Sequence, residues 1–249
     1  MLRSLKGFED YTVSATDGDI GVVTDFLLDD DRWVIRHLVV NTLGHLGGRH
    51  DVLVSPISFR LAEESSRHFY LALSIDKIKN SPNVDTAKPV SRQNEVELYG
   101  YYGYPYYWGG VGIMGMGGYP PLFAPHVANV APAPSADDPP GDAHLRSAQE
   151  IRGYHVQGSD GAIGHIEDFI VDDKTWEVRY LVIDTSNWWM GKKVLVAPHW
   201  ASRVSWEERK VHMNIPRDAI KSSPEWDASA AVNREYEARL QDHYGRSAP

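Results

Sequence analysis

The sequence predicts a mainly β protein that consists of two small antiparallel β-barrels, each followed by a short C-terminal helix. Three observations lead to this fold class. The chain repeats its own sequence, each copy breaks into short β-type runs between turn residues, and a segment rich in glycine and proline separates the copies. A chain of 249 residues has room for two such domains.

The repeat is clearest where residues 17–42 align without a gap to residues 160–185, at an offset of 143 positions. Thirteen of the 26 aligned residues are identical, and in the first copy they are Asp17, Gly18, Ile20, Gly21, Asp25, Phe26, Asp29, Asp30, Trp33, Arg36, Leu38, Val39 and Thr42. Later in each copy the offset falls to 142, and residues 81–103 align to residues 223–245. Such internal similarity indicates two copies of one structural unit.

The repeat defines the expected domain boundaries. We expect a first unit at 1–104, a linker rich in glycine, tyrosine and proline at 105–146, and a second unit at 147–249. Within the linker, residues 132–144 (PAPSADDPPGDAH) have the composition of a flexible tether.

The strands of each copy follow from the alternation of residue types. A run at 11–15 leads through an Asp-Gly turn into residues 20–28, where apolar residues and one threonine occupy every second position. The aromatic and β-branched run 33–41 and two later runs bring the number of strands to about five, which predicts a small closed antiparallel barrel.

Helices are expected after the strands. The segment IDKIK before Pro82 predicts one short helical turn, and residues 91–103 and 233–245 predict one longer helix per unit. Ser91 and Asn233 are suitable N-caps for these helices.

The residues of the repeat carry a family resemblance. The pattern Asp-Gly-x-Ile-Gly, then Asp-Phe and Asp-Asp, then Trp and an Arg-x-Leu-Val strand, resembles the PRC-barrel domain over residues 7–82 and 150–224. This module occurs in the cytoplasmic part of the photosynthetic reaction-centre H subunit and in a bacterial ribosome maturation factor. The resemblance implies the fold, but neither protein's function transfers by default, and no functional residues are carried over.

Composition and charge exclude several classes of function. The net charge is −9, so the chain lacks the basic surface of a nucleic-acid-binding protein. The absence of cysteine excludes disulfides and thiolate metal sites, and it suits a cytoplasmic location. The N-terminus has no secretory signal, and no segment has the ~20 apolar residues of a membrane helix, so we expect no membrane span.

The chemistry-bearing residues indicate no catalysis, metal or cofactor. The histidines do not cluster, and no nucleophile, phosphate-binding or dinucleotide motif is present, so the chain is predicted not to be an enzyme. The acidic turns at 29–31 and 172–173 lack the spacing of a calcium loop and are interpreted as solvated hairpin turns.

Residues that recur in both copies are predicted to be structural, because the same role then suits two different contexts. Ion pairs of Asp25 with Arg36, and of Asp168 with Arg179, are one hypothesis for their contacts, and a charged pocket is another. The whole set is Asp17, Gly18, Gly21, Asp25, Arg36, Asp160, Gly161, Gly164, Asp168 and Arg179.

Two aromatic segments are candidate partner-binding surfaces. The first contains Trp188, Trp189 and Met190, whose counterpart in the first copy is far less aromatic. Adjacent tryptophans point to different sides, so one is expected to be exposed, as in many binding hot spots. The alternative is that both cover a barrel end. The second segment either binds a partner or covers the first barrel, and it contains Tyr104, Tyr106, Tyr107 and Trp108.

These observations predict a non-catalytic protein–protein interaction or assembly module. Interaction with another protein is the leading hypothesis, and docking on a membrane-associated complex, in the manner of the H subunit, or on another large assembly is one form of it. The alternative is the binding of a small ligand or metal at the seam between the barrels, in stress adaptation. Two tethered copies also suit self-association, intramolecular pairing of the barrels or two-site binding.

Overall fold

The structure is a computed structural model that describes residues 1–42, 44, 51–85, 90–107, 143–185, 191–228 and 232–245. The chain divides into two compact units. We call Phe8–Ala148 the N-terminal unit, and Gln149–Pro249 together with Met1–Gly7 the C-terminal unit.

Regular structure in the described ranges is mainly β. In chain order, strands β1 to β15 are Leu2–Ser4, Thr12–Ala15, Gly18–Asp29, Val34–Asn41, Asp51–Val54, Phe59–Glu63, His68–Leu71, Val90–Ser91, Ala143–Ser147, His155–Gly158, Gly161–Asp172, Val178–Asp184, Lys193–Val196, Ala201–Ser205 and Lys210–Met213. Helices α1 to α5 are Ile75–Lys79, Arg92–Tyr102, Ala148–Ile151, Arg217–Lys221 and Arg234–Tyr244. Short 3₁₀ turns occupy Lys6–Phe8, Pro56–Ser58 and Pro198–Trp200.

Each unit contains one sheet, and the two sheets have the same strand order. The order is β5-β4-β3-β2-β7-β6 in the N-terminal unit and β13-β12-β11-β10-β15-β14 in the C-terminal unit. The longest strands, β3 and β11, have 12 residues each and carry the Asp-Phe segment of the repeat. The predicted Asp-Gly hairpin is confirmed, since Ala15 pairs with Gly18 where β2 meets β3.

The prediction of closed, fully antiparallel barrels is wrong. β2 runs parallel to β7, and β10 runs parallel to β15. Between the described residues, no ladder joins β5 to β6 or β13 to β14. Alternation of residue types identifies a strand and its buried face, but it does not identify the neighbour or its direction. The parallel pair arises because the hairpin β6–β7 returns the chain to β2 in the same direction.

Two short strands join the sheet of the other repeat. β1 pairs with β11, with Ser4 opposite Ile170, while β9 pairs with β3, with Ser147 opposite Leu27. The start of the chain therefore belongs to the C-terminal unit. The segment 143–146, which the sequence assigned to the linker, is part of a strand in the N-terminal unit.

The predicted helices are confirmed together with their caps. Ser91 Oγ accepts a hydrogen bond from Asn94 N, and Asn233 Oδ1 accepts one from Tyr236 N, so both side chains are N-caps. Helix α2 packs on its own unit in a cluster that contains Leu27, Val39, Leu53, Val84, Val90, Leu98 and Leu145. None of the helices within the described ranges is long and apolar enough to cross a membrane.

Two of the recurring residues, Gly21 and Gly164, must be glycine because a neighbouring strand approaches them closely. A Cβ on Gly21 would lie 2.0 Å from Asn41 O, and a Cβ on Gly164 would lie 2.0 Å from Asp184 O. Backbone atoms cannot yield to such an overlap as a flexible side chain could. The repeat preserves glycine here because the sheet leaves no room for a side chain.

We expect Gly21→Ala to lower the free energy of unfolding by about 2–4 kcal/mol, because the strand must shift to relieve the overlap. Gly100→Ala is the matched control, since Gly100 is exposed in α2 and its added Cβ would meet only Tyr106 Oη at 3.8 Å. Urea denaturation of both variants checks the expectation. Equal stability of the two variants would contradict it.

Candidate functional site

The added strands β1 and β9 each dock on their sheet through a serine–aspartate hydrogen bond. Ser147 Oγ donates to Asp25 Oδ2 at 2.5 Å, and Ser4 Oγ donates to Asp168 Oδ2 at 2.5 Å. Each aspartate also accepts the backbone N–H of the following phenylalanine through its Oδ1. The structure thus places Asp25 and Asp168 where the added strand meets the sheet.

The contact in the C-terminal unit holds the segment from Met1 to Lys6. Lys6 N donates to Asp168 Oδ1 at 3.1 Å, and Leu5 N donates to Phe169 O at 2.8 Å. Burial raises the pKa of the Asp168 carboxyl, while the hydrogen bonds from Ser4, Phe169 N and Lys6 N act in the opposite direction. We call the edge of β11 that receives this segment the β1 slot.

The recurring Asp-Gly turns connect the sheet to the short helices. Asp17 Oδ1 accepts Ile75 N at 2.8 Å at the start of α1, and Asp160 Oδ1 accepts Arg217 N at 2.6 Å at the start of α4. A Cβ on Gly18 would lie 3.2 Å from Ile75 Cδ1, and a Cβ on Gly161 would lie 3.3 Å from Arg217 Nη1. These four residues fix the position of a helix in each unit.

Arg36 forms a buried ion pair with Asp29. Arg36 Nε and Nη2 both donate to Asp29 Oδ2, at 3.2 and 2.9 Å, and Asp29 Oδ1 accepts Arg32 N at 3.1 Å. Arg36 is 0% exposed and Asp29 is 3% exposed. The interpretation of this acidic turn as solvated is therefore wrong for Asp29. This residue lies at the C-terminal end of β3 and compensates the charge of the buried Arg36 guanidinium.

The corresponding residues of the C-terminal unit have different surroundings. The Arg179 side chain is 27% exposed, and its Nη1 lies 3.9 Å from Glu177 Oε2. Asp172 Oδ1 instead accepts Lys174 N at 2.8 Å and Thr175 N at 3.3 Å within the turn. Identical residues in the two copies therefore perform different structural tasks.

A tyrosine cluster accounts for part of that difference. It consists of Tyr99, Tyr104, Tyr106 and Tyr107, at the end of α2 and just beyond it. The Arg36 guanidinium lies 3.6 Å from the centroid of the Tyr107 ring, close enough for a cation–π contact. Tyr106 stacks on Tyr99 with a centroid separation of 6.1 Å, and the Tyr104 hydroxyl is hydrogen-bonded to Ser58 Oγ.

The Tyr107 hydroxyl lies between two charged groups of α2. It accepts a hydrogen bond from Arg92 Nη1 at 2.8 Å and donates to Glu95 Oε2 at 3.0 Å. Burial, and then the negative charge of Glu95, raise the pKa of Tyr107 well above its ordinary value. The phenol therefore stays protonated and acts as a structural hydrogen-bond donor.

These contacts favour one of the two interpretations of the second aromatic segment. Tyr104, Tyr106 and Tyr107 are each partly buried and contact residues of their own unit. They cover the N-terminal unit in the part of the chain that the structure describes. The other candidate partner-binding residues, Trp108, Trp188, Trp189 and Met190, lie outside the described residues.

An exposed apolar residue on an edge strand was not predicted. Leu61 of β6 is 56% exposed, and it lies opposite Tyr70 of β7. Arg203 of β14 occupies the corresponding position in the C-terminal unit and contacts His212 and Glu208. The two units therefore present an apolar and a charged side chain at equivalent edges.

The described residues form a pocket of about 240 Å³ in the N-terminal unit. Its lining residues are Asp51, Val52, Lys79, Ser81, Pro82 and Asn83. Within the ranges that the structure describes, no group of three or more histidine, aspartate or glutamate side chains could hold a metal ion.

Comparison with known families supports the resemblance for the second copy. Residues 144–220 match the family model of the PRC-barrel domain. The matching segment begins in β9, which packs in the N-terminal unit, and continues through the C-terminal unit to α4. A comparison with curated proteins finds no match.

Replacing Arg36 with Met should lower the free energy of unfolding by about 3–5 kcal/mol, because it leaves the Asp29 carboxylate buried without its cation. Arg179→Met is the matched control, and we expect it to cost at most about 1 kcal/mol because that ion pair is partly solvated. Chemical denaturation measures both values. A small loss at Arg36, or an equal loss at both positions, would show that the buried pair is not a stabilising contact.

Asp30 gives the N-terminal unit a predictable pH dependence. Burial, and then the charge of Asp31, raise the pKa of Asp30 to about 6. Because the folded chain favours the protonated carboxyl, this contribution to stability is present below about pH 4 and is lost as the pH rises through 6. We expect Asp30→Asn to stabilise the protein at pH 7 by about 1 kcal/mol, since partial exposure reduces the full effect.

Thermal unfolding of wild type and Asp30→Asn at pH 7 and pH 4 checks this expectation. The gain should shrink at pH 4, where the wild-type carboxyl is already protonated. A gain of the same size at both pH values would contradict the assignment to ionisation.

Proposed function

We propose that this protein is a non-catalytic protein–protein interaction module built from two PRC-barrel units. The observation that carries the proposal is the exposed Leu61 on the edge strand β6. The PRC-barrel match at residues 144–220 supports the same class of function.

An edge strand with an exposed apolar residue is suited to binding another polypeptide. Among the described residues, β6 is hydrogen-bonded to β7 and to no other strand. Its central residues Arg60, Leu61 and Ala62 are all exposed. An extended segment of a partner can pair with such an edge through its backbone, while an apolar side chain supplies the hydrophobic contact.

The polar side chains support a non-catalytic role by their partners. Asp168 is bound by Ser4, Asp29 is bound by Arg36, and Glu95 is bound by Tyr107. A general acid or base needs access to a substrate proton. These carboxylates instead form hydrogen bonds that hold strands and the tyrosine cluster in place.

Within the described residues, no side-chain group could hold a metal ion, and the pocket beside Asp51 does not favour the small-ligand alternative. The pocket beside Asp51 has a volume of about 240 Å³, below the ~300–1,000 Å³ that is usual for small-molecule sites. We therefore propose a protein as the partner, and not a small ligand or a metal ion. The resemblance to the reaction-centre H subunit favours a membrane-associated complex, which this chain would meet from the cytoplasm.

The test is affinity capture from the native host's lysate with the full chain as bait. We expect one defined complex with wild type, and recovery at least about tenfold lower with Leu61→Arg, which copies the charge found at the equivalent position of β14. Ser202→Arg is the control, because it adds the same charge to an exposed position of β14. Trp188→Ala/Trp189→Ala tests the first aromatic segment in parallel.

The captured partner should then be purified and its affinity for each variant measured. Loss of binding with Leu61→Arg but not with Ser202→Arg would support the edge strand as the interface. Failure to recover any defined complex, or equal binding of wild type, Leu61→Arg and the double tryptophan variant, would refute the proposal.

A further inference from the structure

We propose that the β1 slot is a docking site for the β1 strand of a second copy of this chain, so that two chains exchange their N-terminal strands. This proposal concerns self-association and does not depend on the function proposed above.

The donor strands are interchangeable by sequence and register. β1 and β9 share the tripeptide Leu-Arg-Ser, at residues 2–4 and 145–147. Arg3 lies opposite Val171 and Arg146 lies opposite Leu28, so the offset of 143 holds for both donors and both acceptors. Two acceptor edges in one chain thus hold strands with the same tripeptide in the same register, so a donor strand of this sequence fits more than one acceptor.

The first six residues make the described contacts in the β1 slot. Ser4 and Lys6 N bind the Asp168 carboxylate, Leu5 N binds Phe169 O, and Asp173 N binds Met1 O. The N-terminal ammonium group lies 2.5 Å from Asp173 Oδ1. All of these groups would be supplied equally by the N-terminus of another copy, so exchange conserves every contact in the slot.

The two donors differ in how firmly they are held. β9 pairs with both β3 and β8, and Leu145 is fully buried. Among the described residues β1 pairs with β11 alone, and Leu2, Arg3 and Ser4 are each only partly buried. The structure therefore assigns exchange to β1 and not to β9.

The energetics follow the logic of domain swapping. Because the contacts are the same within one chain and between two, the equilibrium depends on the chain concentration relative to the effective concentration of the tethered strand. Exchange is expected to increase with chain concentration and after unfolding and refolding.

The experiment uses the absence of native cysteine. Arg3→Cys and Val171→Cys are introduced into separate chains, which are purified, mixed at high concentration and oxidised, both without treatment and after joint refolding. Opposed residues in antiparallel strands have the Cα separation that a disulfide needs. Arg146→Cys and Leu28→Cys, which are opposed in the same register on β3, form the matched control pair.

We expect a reducible heterodimer linked between positions 3 and 171, identified by mass spectrometry of the joined peptides, at a yield about tenfold above that of the control pair. Leu2→Cys with Asp172→Cys, also directly opposed, is the second pair in case Val171→Cys does not fold. No cross-chain link with either pair after joint refolding would overturn the proposal. Equal yields from the β1 and control pairs would also overturn it, because the link would then report general unfolding.

A further arm distinguishes the occupant of the slot. A synthetic peptide of residues 1–7 that carries Arg3→Cys is offered to the Val171→Cys chain. Linkage of this peptide without any linkage between whole chains would show that the slot accepts a free strand but not a second copy, and it would refute the proposal.

Discussion

The hydrogen bond from a serine hydroxyl to an aspartate carboxylate fixes the strand that is added to each sheet. Ser147 and Asp25 form it in the N-terminal unit, and Ser4 and Asp168 form it in the C-terminal unit. In the N-terminal unit the added strand brings Leu145 into the same core as Leu27 and Leu98, and so it supports helix α2. The tyrosine cluster follows α2 in the chain, so its position depends on the same contact.

The two units differ in the surroundings of residues that are identical in the two repeats. Arg36 is buried beside Asp29 and under Tyr107, whereas Arg179 is partly solvated beside Glu177. The Asp29 carboxylate compensates the charge of the buried Arg36 guanidinium, and Arg92 and Glu95 bind the hydroxyl of the Tyr107 ring that lies against it. The edge strands differ in the same way, with Leu61 in one unit and Arg203 in the other. One unit has a buried ion pair and an apolar edge, and the other has solvated charges at the equivalent positions.

Much of the fold could be predicted from residue patterns, because turns, caps and buried faces are local. The Asp-Gly turns, the caps Ser91 and Asn233 and the repetition of the same strands in two copies are of this kind. The parallel pair of β2 with β7 and the burial of Asp29 could not be predicted, since they depend on which distant segments meet. The strands β1 and β9 share the tripeptide Leu-Arg-Ser at the common offset of 143. Three residues are too few to identify their pairing without the structure. The exposure of Leu61 could not be predicted, because it depends on the position of β6 at the edge of the sheet and not on the residue type.

The position of β1 and β9 in the chain has a consequence for the order of folding during synthesis. The N-terminal sheet lacks β9 until residue 147 has left the ribosome, so the first repeat must wait for the whole intervening segment before it is complete. β1 is synthesised before its partner β11, which lies about 170 residues later in the chain, so their pairing is a highly non-local contact. β1 therefore has no β11 to pair with until residues 170–172 have been synthesised. Neither repeat, taken as a continuous stretch of sequence, encodes all the strands of one compact unit.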